Sequence, residues 1–88
     1  MNPKVKEVRV LDDYRLELLF SNGERRIFDA SPYLDYEVFQ PLRNPGLFSS
    51  ARVVSGSVEW PGEIDLSYDT LYLESVPLGE VTEAQRTA

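Results

Sequence analysis

Four carboxylates, Glu59, Glu63, Asp65 and Asp69, fall within eleven positions around the single tryptophan, Trp60, in the stretch SVEWPGEIDLSYDTLYLES. Side chains of this type at this spacing suggest two chemistries. A pair of carboxylates about six residues apart across a turn could act as acid and base on a glycoside, or several could hold a hard cation. Tyr68 and Tyr72, four positions apart, would add aromatic faces to such a site. The candidate binding set is therefore Trp60, Glu63, Asp65, Asp69, Tyr68 and Tyr72. The spacing departs from a calcium-binding EF-hand loop, which places Asp or Asn at every second position and closes with Glu at the twelfth. A glycosidase also needs a cleft that holds sugar, which is hard to build from 88 residues.

The same residues have a structural account. Pro61-Gly62 ends a strand that delivers Trp60, since proline cannot donate to a strand ladder and glycine tolerates the turn. Ser67 is placed to cap a short helix over Tyr68–Ser75, and Asp69 falls in its first turn, where a carboxylate meets the positive end of the helix dipole. Leu71 faces inward, Asp65 is available to cap the preceding turn, and Pro77 stops the helix. Glu59 and Glu63 are left free. On this account the stretch is a strand end followed by a capped helix, and a partner-binding role can be added to it.

What is missing from the chain narrows the chemistry further. It contains no histidine and no cysteine, which removes Ser-His-Asp and Cys-His catalysis, the usual zinc ligand sets and any disulfide framework. The expectation is a non-enzyme with no catalytic residues, no metal centre and no cofactor. The net charge of −6 is unevenly placed: residues 1–52 carry eight basic and eight acidic side chains, whereas residues 53–88 carry seven acidic side chains and one basic, Arg86. Direct nucleic-acid binding is disfavoured, because that affinity comes largely from neutralising phosphates. A small basic protein is the partner this polarity suits. The start, MNPKVKEVRV, has no apolar core of a signal peptide, and no stretch approaches the roughly 18 apolar residues that cross a bilayer. The expected setting is cytoplasmic, with no membrane contact.

The elements that must position these residues read as α+β: one small domain over residues 1–78, with an antiparallel sheet of about five short strands covered by short helical turns. Val5–Leu11 and Tyr14–Phe20 flank Asp12-Asp13 as a hairpin, and SNGE leads into a third strand over Arg25–Asp29. A three-residue Ser21-Asn22-Gly23 loop, with Gly23 in the left-handed region, pairs Phe20 with Glu24 and Leu16 with Phe28. It is preferred because it brings Phe28 onto the apolar face of Leu16, Leu18 and Phe20. Arg25 and Arg26 then point to opposite faces. Ser31-Pro32 and Asn44-Pro45 are helix starts, while Pro41 and Gly46 keep the intervening helices to one or two turns. Leu34, Val38, Phe39, Leu42, Leu47 and Phe48 are expected to cover the sheet. RVVS and SVEW supply two more strands around Gly56. Residues 79–88 read as a frayed tail. Tyr33, Tyr36, Tyr68 and Tyr72 could form an aromatic interface, and an exposed strand edge could support a homodimer.

The segments LELLFSNGERRIFD, LFSSARVV and above all VEWPGEIDLSYDTLY resemble a family of small bacterial proteins known as domain of unknown function 2442. The resemblance runs from about Val5 to Leu78 and rests on Trp60, Pro61, Gly62, Asp65, Leu66, Ser67, Asp69 and Leu71. Tyr68 stands where the family often has proline, as suits a first helical position. The family has no established activity to carry over. The resemblance implies a domain that occurs alone, beside other small proteins in toxin–antitoxin-like arrangements, or joined to a C-terminal helix-turn-helix. Gly79–Ala88 is too short to hold that last module, so an antitoxin-like partner role is the expectation it leaves.

Overall fold

The structure, a computed structural model, describes residues 1–80. It is α+β, built from two antiparallel sheets and short helices. The first sheet contains β1 (Val5–Leu11), β2 (Arg15–Phe20), β3 (Arg25–Asp29) and β7 (Val76–Pro77), in that order. The second contains β4 (Arg52–Val54), β5 (Ser57–Trp60) and β6 (Ile64–Leu66). Between β3 and β4 the chain makes 3₁₀ turns at Ser31–Asp35 and Glu37–Arg43 and one turn of helix α1 (Pro45–Phe48). Helix α2 (Tyr68–Glu74) joins the second sheet back to β7, and a 3₁₀ turn at Leu78–Glu80 follows. The frayed-tail expectation for residues 81–88 lies outside the described residues, and Gly79 belongs to that last turn.

The β2–β3 register is the one that hydrophobic alignment favours. Leu16 pairs with Phe28, the Phe20 N–H donates to the Glu24 carbonyl at 2.9 Å, and Gly23 has φ +90°. Leu16, Leu18, Phe20 and Phe28 are all buried. At the β1–β2 turn the structure differs from the sequence reading. Tyr14 leaves the strand and joins Asp13 in the left-handed region, each with φ 60°. Its hydroxyl donates to the Arg43 carbonyl and its ring meets Phe48 edge-on at 5.2 Å, so the turn is held by tertiary contacts.

Two strands escape the sequence pattern. Ile64–Leu66 is only three residues long, and β7 is the pair Val76–Pro77, with the proline on a sheet edge where its missing donor costs no ladder bond. Pro77 is therefore part of a strand; α2 ends earlier, where Ser75 turns extended. The cover over the core comes from Leu34, Leu42 and Phe48, with Phe39 and Leu47 packed beside them. Val38 is the exception at 61 % exposed. In a 3₁₀ turn side chains three apart eclipse, so Phe39 and Leu42 point inward together and Val38 points away. Ser31 is the first residue of its turn, which follows Ala30 and has no side-chain cap; Asp29 accepts from the Ser31 N–H at 2.9 Å and hydroxyl at 2.7 Å. Asn44 caps α1 as expected, accepting from the Gly46 and Leu47 amides.

Both sheets feed one core, with Val58, Trp60, Ile64 and Leu66 of the second meeting Leu16, Leu18, Phe20 and Phe28 of the first. They join where the Val5 N–H donates to the Gly56 carbonyl at 2.8 Å.

Candidate functional site

Strand alternation decides where the candidate residues go. In β5 and β6, Val58, Trp60, Ile64 and Leu66 face the core, so Glu59 and Asp65 must face out. Trp60 is 2 % exposed. Its indole N–H donates to the Phe48 carbonyl at 2.9 Å and its ring stacks on Phe48 at 5.8 Å. It is a core anchor with its polar group satisfied, and it does not share a surface with the carboxylates around it. Glu63 is exposed in the β5–β6 turn at φ 63°. Asp65 caps nothing; it sits on β6 directly opposite Glu59. Asp69 lies in the first turn of α2 and accepts from the Asn2 side chain at 2.9 Å. Ser67 caps α2, accepting from the Thr70 N–H at 3.3 Å.

The result is an acidic outer face on the second sheet. Arg52, Glu59 and Asp65 form one row across β4, β5 and β6, with Glu63 at the adjoining turn. Among the described residues no ion pair involves any of these four side chains, and no three carboxylates converge closely enough to hold a metal ion. Like charges opposite each other on a strand pair repel, and Arg52, across from Glu59 on its other side, is the cation of the row.

The tyrosines divide into separate groups. The Tyr68 N–H donates to the Ser57 hydroxyl at 3.1 Å, and its ring lies 5.8 Å from the Lys4 ammonium. Tyr72 belongs to a polar cluster that the sequence reading missed. Arg26 of β3 donates through Nε to the Ser75 hydroxyl at 2.7 Å, through Nη2 to the Ser75 carbonyl at 2.8 Å and through Nη1 to Glu24 at 3.1 Å. Its guanidinium lies 4.5 Å from the centre of the Tyr72 ring, and the Tyr72 hydroxyl donates to Glu24 at 2.6 Å. The Tyr72 and Asn22 hydrogen bonds hold the Glu24 carboxyl below its ordinary pKa, and the same bond to Glu24 raises that of Tyr72. Tyr33 packs on Phe28 and Phe39 and donates to Glu74; burial first, and that bond second, push its pKa up to about 12. The sequence signal for the Arg26 cluster was the placement of Arg25 and Arg26 on opposite faces of the strand, with Glu24 two residues away; Tyr72 and Ser75, some fifty residues on, gave no local sign.

On the outer face of the first sheet, Arg9 and Arg25 share Glu17, at 2.9 and 3.3 Å. No helix among the described residues is long and apolar enough to cross a membrane.

These features describe a small two-sheet α+β domain whose polar clusters tie elements together. A family described as a protein of unknown function (DUF2442) matches residues 5–77, and the chain belongs to that family. A putative DNA-binding protein of Nitrosomonas europaea, solved by crystallography, superimposes with a TM-score of 0.74 at 29% sequence identity. The alignment covers 83% of this chain and 48% of that one, so this chain spans about half the length of its structural relative. A search of curated proteins finds no match.

Proposed function

We propose that this domain is a non-catalytic protein-interaction module whose partner is a small basic protein, in an antitoxin-like arrangement. The observation that carries the reading is the opposition of Glu59 and Asp65 on the outer face of β5 and β6, with exposed Glu63 beside them and no ion pair among the described residues. Such a face loses its internal repulsion when a cation approaches. A second copy of the chain would bring more carboxylates. The edge of β1 is also poorly suited to homodimerisation, because its register shifts between Val5 and Glu7 and it carries Lys6 and Arg9.

DNA binding, the description of the Nitrosomonas protein, is the competing reading. Against it, among the described residues Arg9 and Arg25 are engaged by Glu17, Arg26 by Glu24 and Ser75, and Arg43 by Asp35; Lys4, Lys6 and Arg52 have no ion pair, but Arg52 lies opposite Glu59 in the acidic row. A phosphate-binding surface needs cations free to replace counterions.

The test is affinity purification of the tagged protein from its native host at low and moderate salt, beside the variant Glu59→Lys/Glu63→Lys. A stoichiometric basic protein held by the wild type, released by salt and lost from a folded variant is the expected result. Equal capture by both overturns the reading. So does duplex DNA bound by the purified domain with a steep salt dependence.

A further inference from the structure

The β1–β2 turn and α1 stand on either side of a groove of about 200 Å³. The left-handed pair Asp13 and Tyr14 shapes it. Their turn sets the Tyr14 ring against Phe48 of α1, with the Tyr14 hydroxyl on the Arg43 carbonyl. Val10, Leu11, Tyr14, Pro45 and Phe48 give the groove an apolar lining, and Ser49 and the exposed Asp12 and Asp13 complete it. Among the described residues neither of these carboxylates has an ion pair. Arg15 donates to the Asp12 backbone carbonyl at 3.3 Å, and Arg43 is bonded to Asp35, so neither guanidinium is paired with them. A second groove, of about 230 Å³, lies on the outer face of the first sheet, but there Arg9 and Arg25 already bond Glu17.

We infer that the groove between the β1–β2 turn and α1 holds one lysine or arginine side chain of the basic partner. The inference rests on the basic-partner reading above and deepens it by assigning a contact pocket. Long basic side chains bury their methylene stems along apolar surface and keep the charged head in polar surroundings. The groove supplies both in one place, with Val10, Leu11 and Tyr14 for the stem and Asp12 and Asp13 for the head. Its volume falls below the roughly 300–1,000 Å³ of small-molecule sites and suits a single side chain. An acidic side chain would meet two unpaired carboxylates, and an apolar one would strip water from them without replacing it.

The probe is N-acetyl-lysine methylamide, titrated into isotope-labelled protein at constant ionic strength and followed by amide chemical shifts. N-acetyl-norleucine methylamide, which keeps the aliphatic stem and lacks the ammonium, is the control. The expected result is saturable shifts at Asp12, Asp13, Tyr14 and Ser49 with the lysine compound only. Asp12→Asn/Asp13→Asn should weaken that binding about fivefold, the worth of two exposed ion pairs. Asparagine tolerates the left-handed conformation at position 13, and circular dichroism verifies that the variant folds. In the host purification the same variant should release the basic protein at lower salt than the wild type. Shifts alike for both compounds, shifts confined to other surfaces, or none, overturn the groove. So does a basic protein held equally by the asparagine variant; if Glu59→Lys/Glu63→Lys still loses it, the basic-partner reading stands. Lysine-specific binding in the groove with no basic protein recovered from the host overturns the basic-partner reading, and with it the occupant assigned here.

Discussion

A tryptophan beside carboxylates can be a binding platform or a core side chain, and the partner of its N–H distinguishes the two. Trp60 gives that hydrogen to the Phe48 carbonyl inside the core. Trp60→Phe should retain most of the apolar filling but lose the indole hydrogen bond, leaving the Phe48 carbonyl with the Ala51 N–H at 3.3 Å as its donor, at a cost of about 1 kcal/mol, to be read as a lowered urea midpoint. Calcium titration of the wild type should leave Trp60 emission unchanged, since the ring faces away from Glu59 and Asp65. Glycine substitutions separate two kinds of strain. Gly23 has φ +90° with open space where a Cβ would stand, so Gly23→Ala should cost about 1 kcal/mol from backbone strain alone. Gly56, at φ +83°, would also place its Cβ 2.7 Å from the Lys4 Cβ. Gly56→Ala should therefore be the more damaging of the two in the same denaturation series. Tyr33 adds a pH signature. Its folded pKa of about 12 lies above the ordinary 10.0. Its contribution is thus complete below pH 10 and is lost as pH rises toward 12. Tyr33→Phe should flatten that part of the stability profile.

The elements were legible in proportion to how much of their pattern is local. The β2–β3 hairpin could be read to the residue, because the Asn-Gly turn and the alignment of Leu16 with Phe28 act within fifteen positions. The Ser67 cap and the inward Leu71 of α2 were equally local. Strands β6 and β7 were not, since two or three residues show no period and are strands only through their partners β5 and β3. The candidate site was legible in type but not in grouping. Alternation alone separates Trp60 from Glu59, whereas the bonds from Arg26 to Ser75 span a separation no spacing rule reaches. That cluster fastens the end of α2 to β3, and it gives the element a pH limit. Because Glu24 has a folded pKa below its ordinary value, its contribution is present above about pH 4.5 and lost as pH falls through the folded value. In Glu24→Gln the acid limb of the stability curve should be shallower, while overall stability near neutrality falls; equal acid limbs would remove Glu24 from the account.

At the scale of the molecule the question is whether two small sheets behave as one body, since a three-stranded sheet carrying repelling carboxylates has little to hold it alone. The residues before and at the start of β1 supply the connection. Asn2 bonds Asp69 on α2 at 2.9 Å, Lys4 lies over Tyr68 and accepts through its carbonyl from the Ser21 N–H at 2.8 Å, and Val5 donates to Gly56 at 2.8 Å. These contacts reach α2, the β2–β3 loop and the β4–β5 turn from one short strap. Trp60 sits in the second sheet, so its emission reports that sheet, while far-ultraviolet circular dichroism is weighted toward the longer strands of the first. In the intact chain the two signals should superimpose through urea unfolding, as one cooperative transition. Removing residues 1–4 takes away the Asn2, Lys4 and Ser21 contacts but leaves every core side chain in place. The Trp60 signal should then move to lower urea ahead of the circular dichroism, exposing the second sheet as the weaker unit. Superimposed curves in the shortened chain would instead mean that the common core of Phe48, Val58, Trp60 and Leu71 couples the sheets without the strap. In that case the acidic face would be held in place by core packing and the Val5–Gly56 hydrogen bond.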